Sequence, residues 1–267
     1  MQPHPTQPTV LITGASAGIG ASFAVFLAAR GYHVLLTARR AERLAAIQKT
    51  IQRNGGDASF FPADISNQTE RLALVRWAKL EAGQVDVLIN NAGFGWYGYY
   101  QDMPWRLASD MADVNIRSVI HLTHLFLKEM AARKNGHIIN IGSIAGSLPN
   151  QGIALYAASK AFLDAFTAAL YRENVSSGVS VSVMRLGPVK TEFYQRAKTA
   201  ENGRAIPLER NAIPVGRVNR ALWRLLRRPR RTVFVPAWLR FTPIVEPLLG
   251  WLIDLLGPLL LKKSPKE

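Results

Sequence analysis

Short apolar runs alternate along this chain with longer segments whose apolar positions recur at helical spacing. Val10-Leu11-Ile12 is the first run, and it meets a turn at Gly14. Ile19 to Ala29 follows as an apolar helical segment and stops at Gly31, a residue that readily takes the left-handed conformation at a helix end. The alternation continues with the run His33 to Leu36, the helical stretch Ala41 to Gln52, the run Ala58 to Phe61 and the helical stretch Gln68 to Leu80. Val85 to Ile89, His137 to Ile141, Val179 to Met184 and Thr232 to Val235 complete seven candidate strands. Short β-rich strands between helices of a dozen or more residues imply βαβ units and a parallel sheet covered on both faces. The expected fold class is α/β: one doubly wound domain over residues 9–240, with a mostly parallel seven-stranded sheet and helices on both faces.

Composition narrows the chemistry. With 267 residues, 48% of them apolar, the chain suits a single domain with a large core. It has no cysteine, which excludes disulfides, thiolate metal sites and a cysteine nucleophile. The histidines His4, His33, His121, His124 and His137 show no metal-ligand pattern, so no metal is expected and a structural role is favoured for His121 and His124. The net charge of +15 is uneven: Arg217 to Arg240 holds eight arginines and no acid. Such a patch suits an anionic partner (lipid headgroups, an acidic carrier protein or nucleic acid), or it is a solvated basic face. Met1 to Pro8 carries three prolines and no apolar run, which reads as a loose tail rather than a signal peptide; a cytoplasmic location is expected.

Candidate chemistry begins between the first strand and first helix, at Thr13-Gly14-Ala15-Ser16-Ala17-Gly18-Ile19-Gly20. Glycines there let the chain turn sharply and bring backbone N–H groups close to a diphosphate, with a helix N-terminus behind them. Gly14, Ser16, Gly18, Ile19 and Gly20 are the expected contacts, although the spacing G-x-x-x-G-x-G differs from the common G-x-G-x-x-G. The second strand ends in Thr37-Ala38-Arg39-Arg40. A carboxylate at this place serves the ribose hydroxyls of NAD, whereas arginine accommodates a 2′-phosphate. Arg39 and Arg40 therefore favour NADP(H) over NAD(H), unless both are solvated helix-start residues. Asp64, after the third strand, is placed to accept from an adenine amino group, or to serve as a plain turn residue.

Tyr156 and Lys160 open an alanine-rich helix four residues apart, on one face. A cation near a phenol favours the phenolate, and such a tyrosine can donate a proton to a carbonyl oxygen or accept one from an alcohol. Ser143 lies thirteen residues earlier, just past the fifth strand. With Asn90-Asn91-Ala92-Gly93 after the fourth strand and Asn115 in a helix, the chain resembles a short-chain dehydrogenase/reductase of the common ~250-residue Rossmann type, over about residues 9 to 195. The resemblance implies Tyr156 as general acid/base, and Lys160 lowering its pKa and holding the nicotinamide ribose. It implies Ser143 on the substrate oxygen, Asn115 holding a relay water, and Asn91, Ala92 and Gly93 beside the adenosine ribose. Thr191 would meet the nicotinamide amide. Leu186 stands where the family usually has proline in a Pro-Gly pair, before Gly187. The resemblance also implies a homo-oligomer.

The substrate side is less defined. Phe94 to Tyr100 is rich in aromatics spaced by glycine and suits an apolar pocket, packing or a subunit contact. Lys190 to Gly216 is irregular and charged, the place for a mobile lid or a surface excursion. The apolar, basic segment 241–267 contains charges and prolines that argue against a spanning helix; Leu248 to Gly257 suits only a short one. Flanked by the arginines and Lys262-Lys263, it resembles a segment lying on an anionic membrane; the alternatives are packing on the enzyme body or another subunit. These features point to an NADP(H)-dependent oxidoreductase acting on a lipophilic ketone, aldehyde or 3-oxoacyl substrate, the last suiting an acidic acyl carrier protein. The competing reading is a nucleotide-sensing binding protein without turnover. Nucleic acid is not an expected partner, because the arginine segment lacks interleaved aromatics for base stacking.

Overall fold

The structure, a computed structural model, describes residues 7–204 and 212–260. Its strands are β1 (Thr9–Thr13), β2 (His33–Ala38), β3 (Asp57–Pro62), β4 (Val87–Asn90), β5 (Gly136–Ser143), β6 (Val179–Leu186) and β7 (Thr232–Val235). They form one seven-stranded sheet in the order β3-β2-β1-β4-β5-β6-β7, and every neighbouring pair is parallel. The helices are α1 (Gly18–Ala28), α2 (Ala41–Arg53), α3 (Gln68–Ala82), α4 (Trp105–Ala112), α5 (Ser118–Ala132), α6 (Ala154–Glu173), α7 (Phe193–Thr199), α8 (Val215–Arg227) and α9 (Thr242–Leu260). The expected doubly wound α/β fold is what the chain adopts.

Fully apolar strands fill two cores at once. Val10 and Ile12 enter one core with Phe23 and Leu27 of α1, Leu44 of α2 and Leu222 of α8. Leu11, between them, enters the other with Leu74 of α3 and Phe126 of α5. In β2 the same alternation sends Val34 and Leu36 one way and Leu35 the other. Strand order reverses beside β1, which has β2 on one side and β4 on the other. Ligands of open α/β sheets bind outside the carboxyl ends of the strands at that reversal.

Two expectations on the C-terminal half change. The segment after β7 forms the 19-residue helix α9 rather than a short helix over Leu248 to Gly257. Pro243 sits in the first turn, where its missing N–H costs no bond, and the helix runs on through Pro247 and Pro258. No helix among the described residues is long and apolar enough to cross a membrane. The irregular interval 190–216 contains α7; residues 205–211 of it, most of the N-terminal tail and 261–267 lie outside the described residues.

Two buried basic side chains, Arg71 and His137, are placed with polar partners. Arg71 is 2% exposed; its Nε donates to His121 Nδ1 at 2.9 Å, and its Nη1 donates to Ser66 O at 2.9 Å. His121 thus serves as an acceptor, and burial, with Arg71 and His124 adding to it, holds its pKa low. His137 is also buried, with Nε2 2.8 Å from Ser182 Oγ, and burial pushes its pKa down to about 4. An imidazole that stays neutral in the folded state costs no stability above the unfolded pKa of ~6.5. Below that, the unfolded chain takes up a proton that the folded chain does not. Stability should therefore fall as pH drops from ~6.5 to about 4, by roughly 3 kcal/mol from His137. Denaturant unfolding of wild type and His137→Gln across this window checks it: the variant should lose this part of the pH dependence, and identical slopes would contradict it.

Candidate active site

The chain leaves β1 at Thr13 and turns through Gly14, Gly18 and Gly20, where a Cβ would be crowded or strained. Gly14 and Gly18 have φ of 65° and 56°, a region L side chains rarely adopt. A Cβ on Gly14 would stand 2.8 Å from Ala92 Cα, and one on Gly20 would stand 2.5 Å from Asn91 Nδ2. The turn therefore rests directly on Asn91-Ala92. Thr13 Oγ1 accepts from Asn91 N at 3.1 Å and from Ala92 N at 3.0 Å, while Asn91 Nδ2 donates to Thr13 O at 2.8 Å. Across the crevice a Cβ on Gly18 would stand 3.2 Å from Thr191 Cβ. Ala17 gives α1 no side-chain cap, and its first turn, which includes Ile19, holds no acid. Its first N–H groups and positive end thus face the turn without an internal anion.

The two arginines after β2 diverge, as consecutive residues of extended chain must. Arg40 donates to Ser16 Oγ from Nε at 3.2 Å and from Nη2 at 2.9 Å, which holds it against the turn. Arg39 points outward, 70% exposed, with its Nη1 3.6 Å from Asp64 Oδ2. Asp64 Oδ1 accepts from Ser66 N at 3.0 Å and from Ser66 Oγ at 2.8 Å. Burial raises the Asp64 pKa, but the Ser66 bonds and Arg39 outweigh it, so the carboxyl is held low. Of the pair weighed for a 2′-phosphate, Arg40 is the one at the turn.

Ser143 ends β5 and Tyr156 lies in the first turn of α6, so both reach the carboxyl edge of the sheet. Burial pushes the Tyr156 hydroxyl up to about 12, and a hydrogen bond with Ser143 opposes this. Ser143 Oγ also accepts from Ala145 N at 3.2 Å. Lys160 is buried; its Nζ donates to Ile141 O at 2.8 Å and lies 5.6 Å from the centroid of the Tyr156 ring. Burial brings Lys160 down to about 8, with Asp164 holding it up. The lowering expected from Lys160 does not enter: burial and Tyr194 raise the hydroxyl, and Ser143 opposes them. Asn115 sits in a π-helical turn, Asp113–Arg117, and is 1% exposed. Its Oδ1 accepts from Phe94 N at 3.1 Å, and its Nδ2 donates to Phe94 O at 2.9 Å and to Ser159 Oγ at 3.2 Å. A Cβ on Gly93 would stand 3.0 Å from Asn115 Oδ1 and 3.6 Å from Lys160 Nζ, so only glycine keeps that wall open.

The family model for short chain dehydrogenase matches residues 8–202, which contain every one of these side chains. The chain belongs to the short-chain dehydrogenase family. It is 35% identical over 214 residues to a 3-oxoacyl-acyl-carrier-protein reductase of Escherichia coli, covering 79% of this chain and 84% of the relative. A solved short-chain dehydrogenase of Sphingobium yanoikuyae in complex with NADPH matches with a TM-score of 0.80 at 26% identity, over 97% of this chain and 99% of that one. A solved variant of actinorhodin polyketide ketoreductase with NADPH matches with a TM-score of 0.78 at 26% identity, over 89% and 99%.

In this dehydrogenase the segment after Thr191 packs beside the site. Phe193 packs on Tyr156, ring centroids 5.6 Å apart, and a Cβ on Gly95 would stand 2.7 Å from Phe193 Cζ. Glu192 accepts from Arg43 Nη1 at 2.8 Å with each carboxylate oxygen and lies 3.6 Å from Arg40. Further on, Trp96 Nε1 donates to Glu201 O at 3.0 Å and Arg204 N to Tyr97 O at 2.9 Å. The aromatic run thus has two uses: Trp96 and Tyr97 are buried under this segment, and Trp96 and Tyr100 line a small apolar cleft that ends at Tyr156.

Asp164, Arg185, Arg43 and Glu192 were not among the residues singled out from sequence. Asp164 could have been, since it follows Lys160 by one helical turn. It is 8% exposed, and Arg185 Nε donates to its Oδ1 at 2.8 Å. Replacing Asp164 with Leu leaves Arg185 unpaired and removes the carboxylate that supports the Lys160 ammonium. The variant should be about 3–5 kcal/mol less stable to denaturant. A change within about 0.5 kcal/mol, the usual range for surface positions, would contradict this placement.

Proposed function

We propose that this dehydrogenase uses NADP(H) to interconvert a carbonyl and an alcohol, working on a lipophilic ketone, aldehyde or 3-oxoacyl substrate. The observation that carries the proposal is the cluster of Tyr156, Ser143 and Lys160 at the carboxyl edge, opening on the crevice between the glycine turn and Thr191. The crevice suits a dinucleotide: a cradle that a Cβ on Gly14, Gly18 or Gly20 would fill, an uncapped α1 N-terminus, and Arg40 held at Ser16. Gly14, Ser16, Gly18, Ile19 and Gly20 would hold the diphosphate and Arg40 the 2′-phosphate, with Arg39 at its outer side. Asp64, Asn91, Ala92 and Gly93 would hold the adenosine half, and Thr191, Tyr156 and Lys160 the nicotinamide half. When bound, the cofactor supplies or accepts the hydride.

The protein's own part is proton handling and positioning. A hydroxyl raised to about 12 stays protonated at neutral pH, so Tyr156 is a phenol ready to donate to a carbonyl oxygen. Ser143 hydrogen-bonds the same oxygen and stabilises the charge that develops on it. Lys160, brought down to about 8, can return a proton to the tyrosine near physiological pH. The Asn115 side chain is committed to Phe94 and Ser159, so a relay water would be held through its main chain. The apolar side chains beside Tyr156 and the substrates named by the relatives' descriptions support a lipophilic carbonyl.

Tyr156→Phe keeps the ring but removes the proton. It should lower NADPH-dependent reduction across a panel of lipophilic carbonyls by roughly 10²- to 10⁴-fold. NADPH binding, followed by its fluorescence, should be retained; turnover at the wild-type rate would remove Tyr156 as the proton donor. Arg40→Ala should weaken NADPH by about ten- to a hundredfold and NADH far less. Equal losses for both cofactors would remove Arg40 from 2′-phosphate recognition.

A further inference from the structure

We infer that α9 and the arginine-lined groove beside it form a docking surface for an anionic membrane. Phe241, Ile244, Leu248, Trp251 and Leu255 recur at spacings of three and four and so share one face. They are 55%, 55%, 67%, 65% and 67% exposed, and Trp238 just before them is 67% exposed. The opposite face holds the helix down: Thr242 is buried with its Oγ1 3.3 Å from Ser147 Oγ, and Gln151 Nε2 donates to Ile253 O at 3.4 Å. The apolar stripe faces outward, and Leu249 and Leu256 beside it are 44% and 46% exposed.

The adjoining charge is of one sign. All eight arginines between Arg217 and Arg240 are exposed, and among the described residues none pairs with a carboxylate. Arg217, Arg220, Arg224, Arg227, Arg228 and Arg230 line a groove of about 910 Å³ between α8 and the edge strand β7. The groove reaches Ala237 and Arg240, the residues that lead into α9, and the Arg240 guanidinium lies 4.9 Å over the Phe241 ring. Basic and apolar surfaces thus meet at one point of the fold.

A second copy of the chain is a poor occupant of this surface, because it would bring two unpaired arginine faces together in a protein of net charge +15. A bilayer rich in acidic headgroups answers both parts: headgroups meet the guanidiniums, and the stripe enters the acyl boundary. Glu246, on the side of Thr242 and Ile253, and Asp254, on the flank, are exposed but lie off the stripe. The pinning residue Gln151 is two positions from Ile153, which lines the cleft at Tyr156. A membrane held by α9 would therefore lie on the Tyr156 side of the domain, which would suit delivery of an apolar substrate. That consequence rests on the proposed substrate class; the docking itself does not.

Binding without turnover separates the two. The full chain is sedimented with phosphatidylcholine vesicles, with and without phosphatidylglycerol, at low and high salt. It should bind only the phosphatidylglycerol vesicles and be released by salt. Arg224→Gln with Arg227→Gln should weaken binding about 25-fold, roughly fivefold per charge. Leu248→Glu with Leu255→Glu should weaken it by at least roughly tenfold. Both pairs are exposed, so the thermal midpoint should not change. Binding to neither vesicle, or to both alike, overturns the inference. So does sedimentation velocity showing a vesicle-free dimer that the Leu pair breaks, or binding to an acidic acyl carrier protein in place of vesicles.

Discussion

The site depends on how closely the first and fourth strands' ends approach each other. The Thr13 hydroxyl accepts two consecutive backbone N–H groups, from Asn91 and Ala92, and Asn91 returns a bond to the Thr13 carbonyl. This exchange is possible only because Gly14 and Gly20 have no Cβ to keep the segments apart. It closes the β1 side of the strand reversal, aims the start of α1 at the crevice, and sets Gly93 beside Lys160. One short contact thereby places the anion-binding turn and the proton-handling residues on one edge.

Water exclusion then sets the chemistry. Burial pushes the half-buried Tyr156 phenol up and the buried Lys160 ammonium down. Each shift favours the neutral form, and each is opposed by a neighbour: Ser143 for the tyrosine, Asp164 for the lysine. Both groups of the pair are thus biased toward their neutral forms. In the proposed reaction this suits proton delivery to a carbonyl better than it suits a standing phenolate.

The strands, the two-sided sheet and the glycine turn were legible because they follow from local pattern: apolar period, glycine position and helix ends. Tyr156, Lys160 and Ser143 were legible through spacing and order. The partition of Arg39 and Arg40 was not, since it depends on which side of an extended chain faces Ser16. Glu192 and Arg43 meet from positions 149 residues apart, and nothing local marks such a pair. Asp164 stood one turn from Lys160 but needed Arg185 from β6 to explain a buried carboxylate. The prolines of α9 suggest a shorter helix than the chain forms, because Pro243 lies in the first turn and the helix continues past the others.

These residues leave the protein two tasks, to exclude water and to hold a proton at the right oxygen, while the reducing equivalent comes from the nucleotide. The most direct measurement is transfer of label from NADPH deuterated at nicotinamide C4 to a lipophilic ketone in ordinary water. The account predicts an alcohol with deuterium on its carbinol carbon and a hydroxyl proton drawn from solvent. Recovery of unchanged ketone beside tightly bound, unreacted NADPH would contradict it.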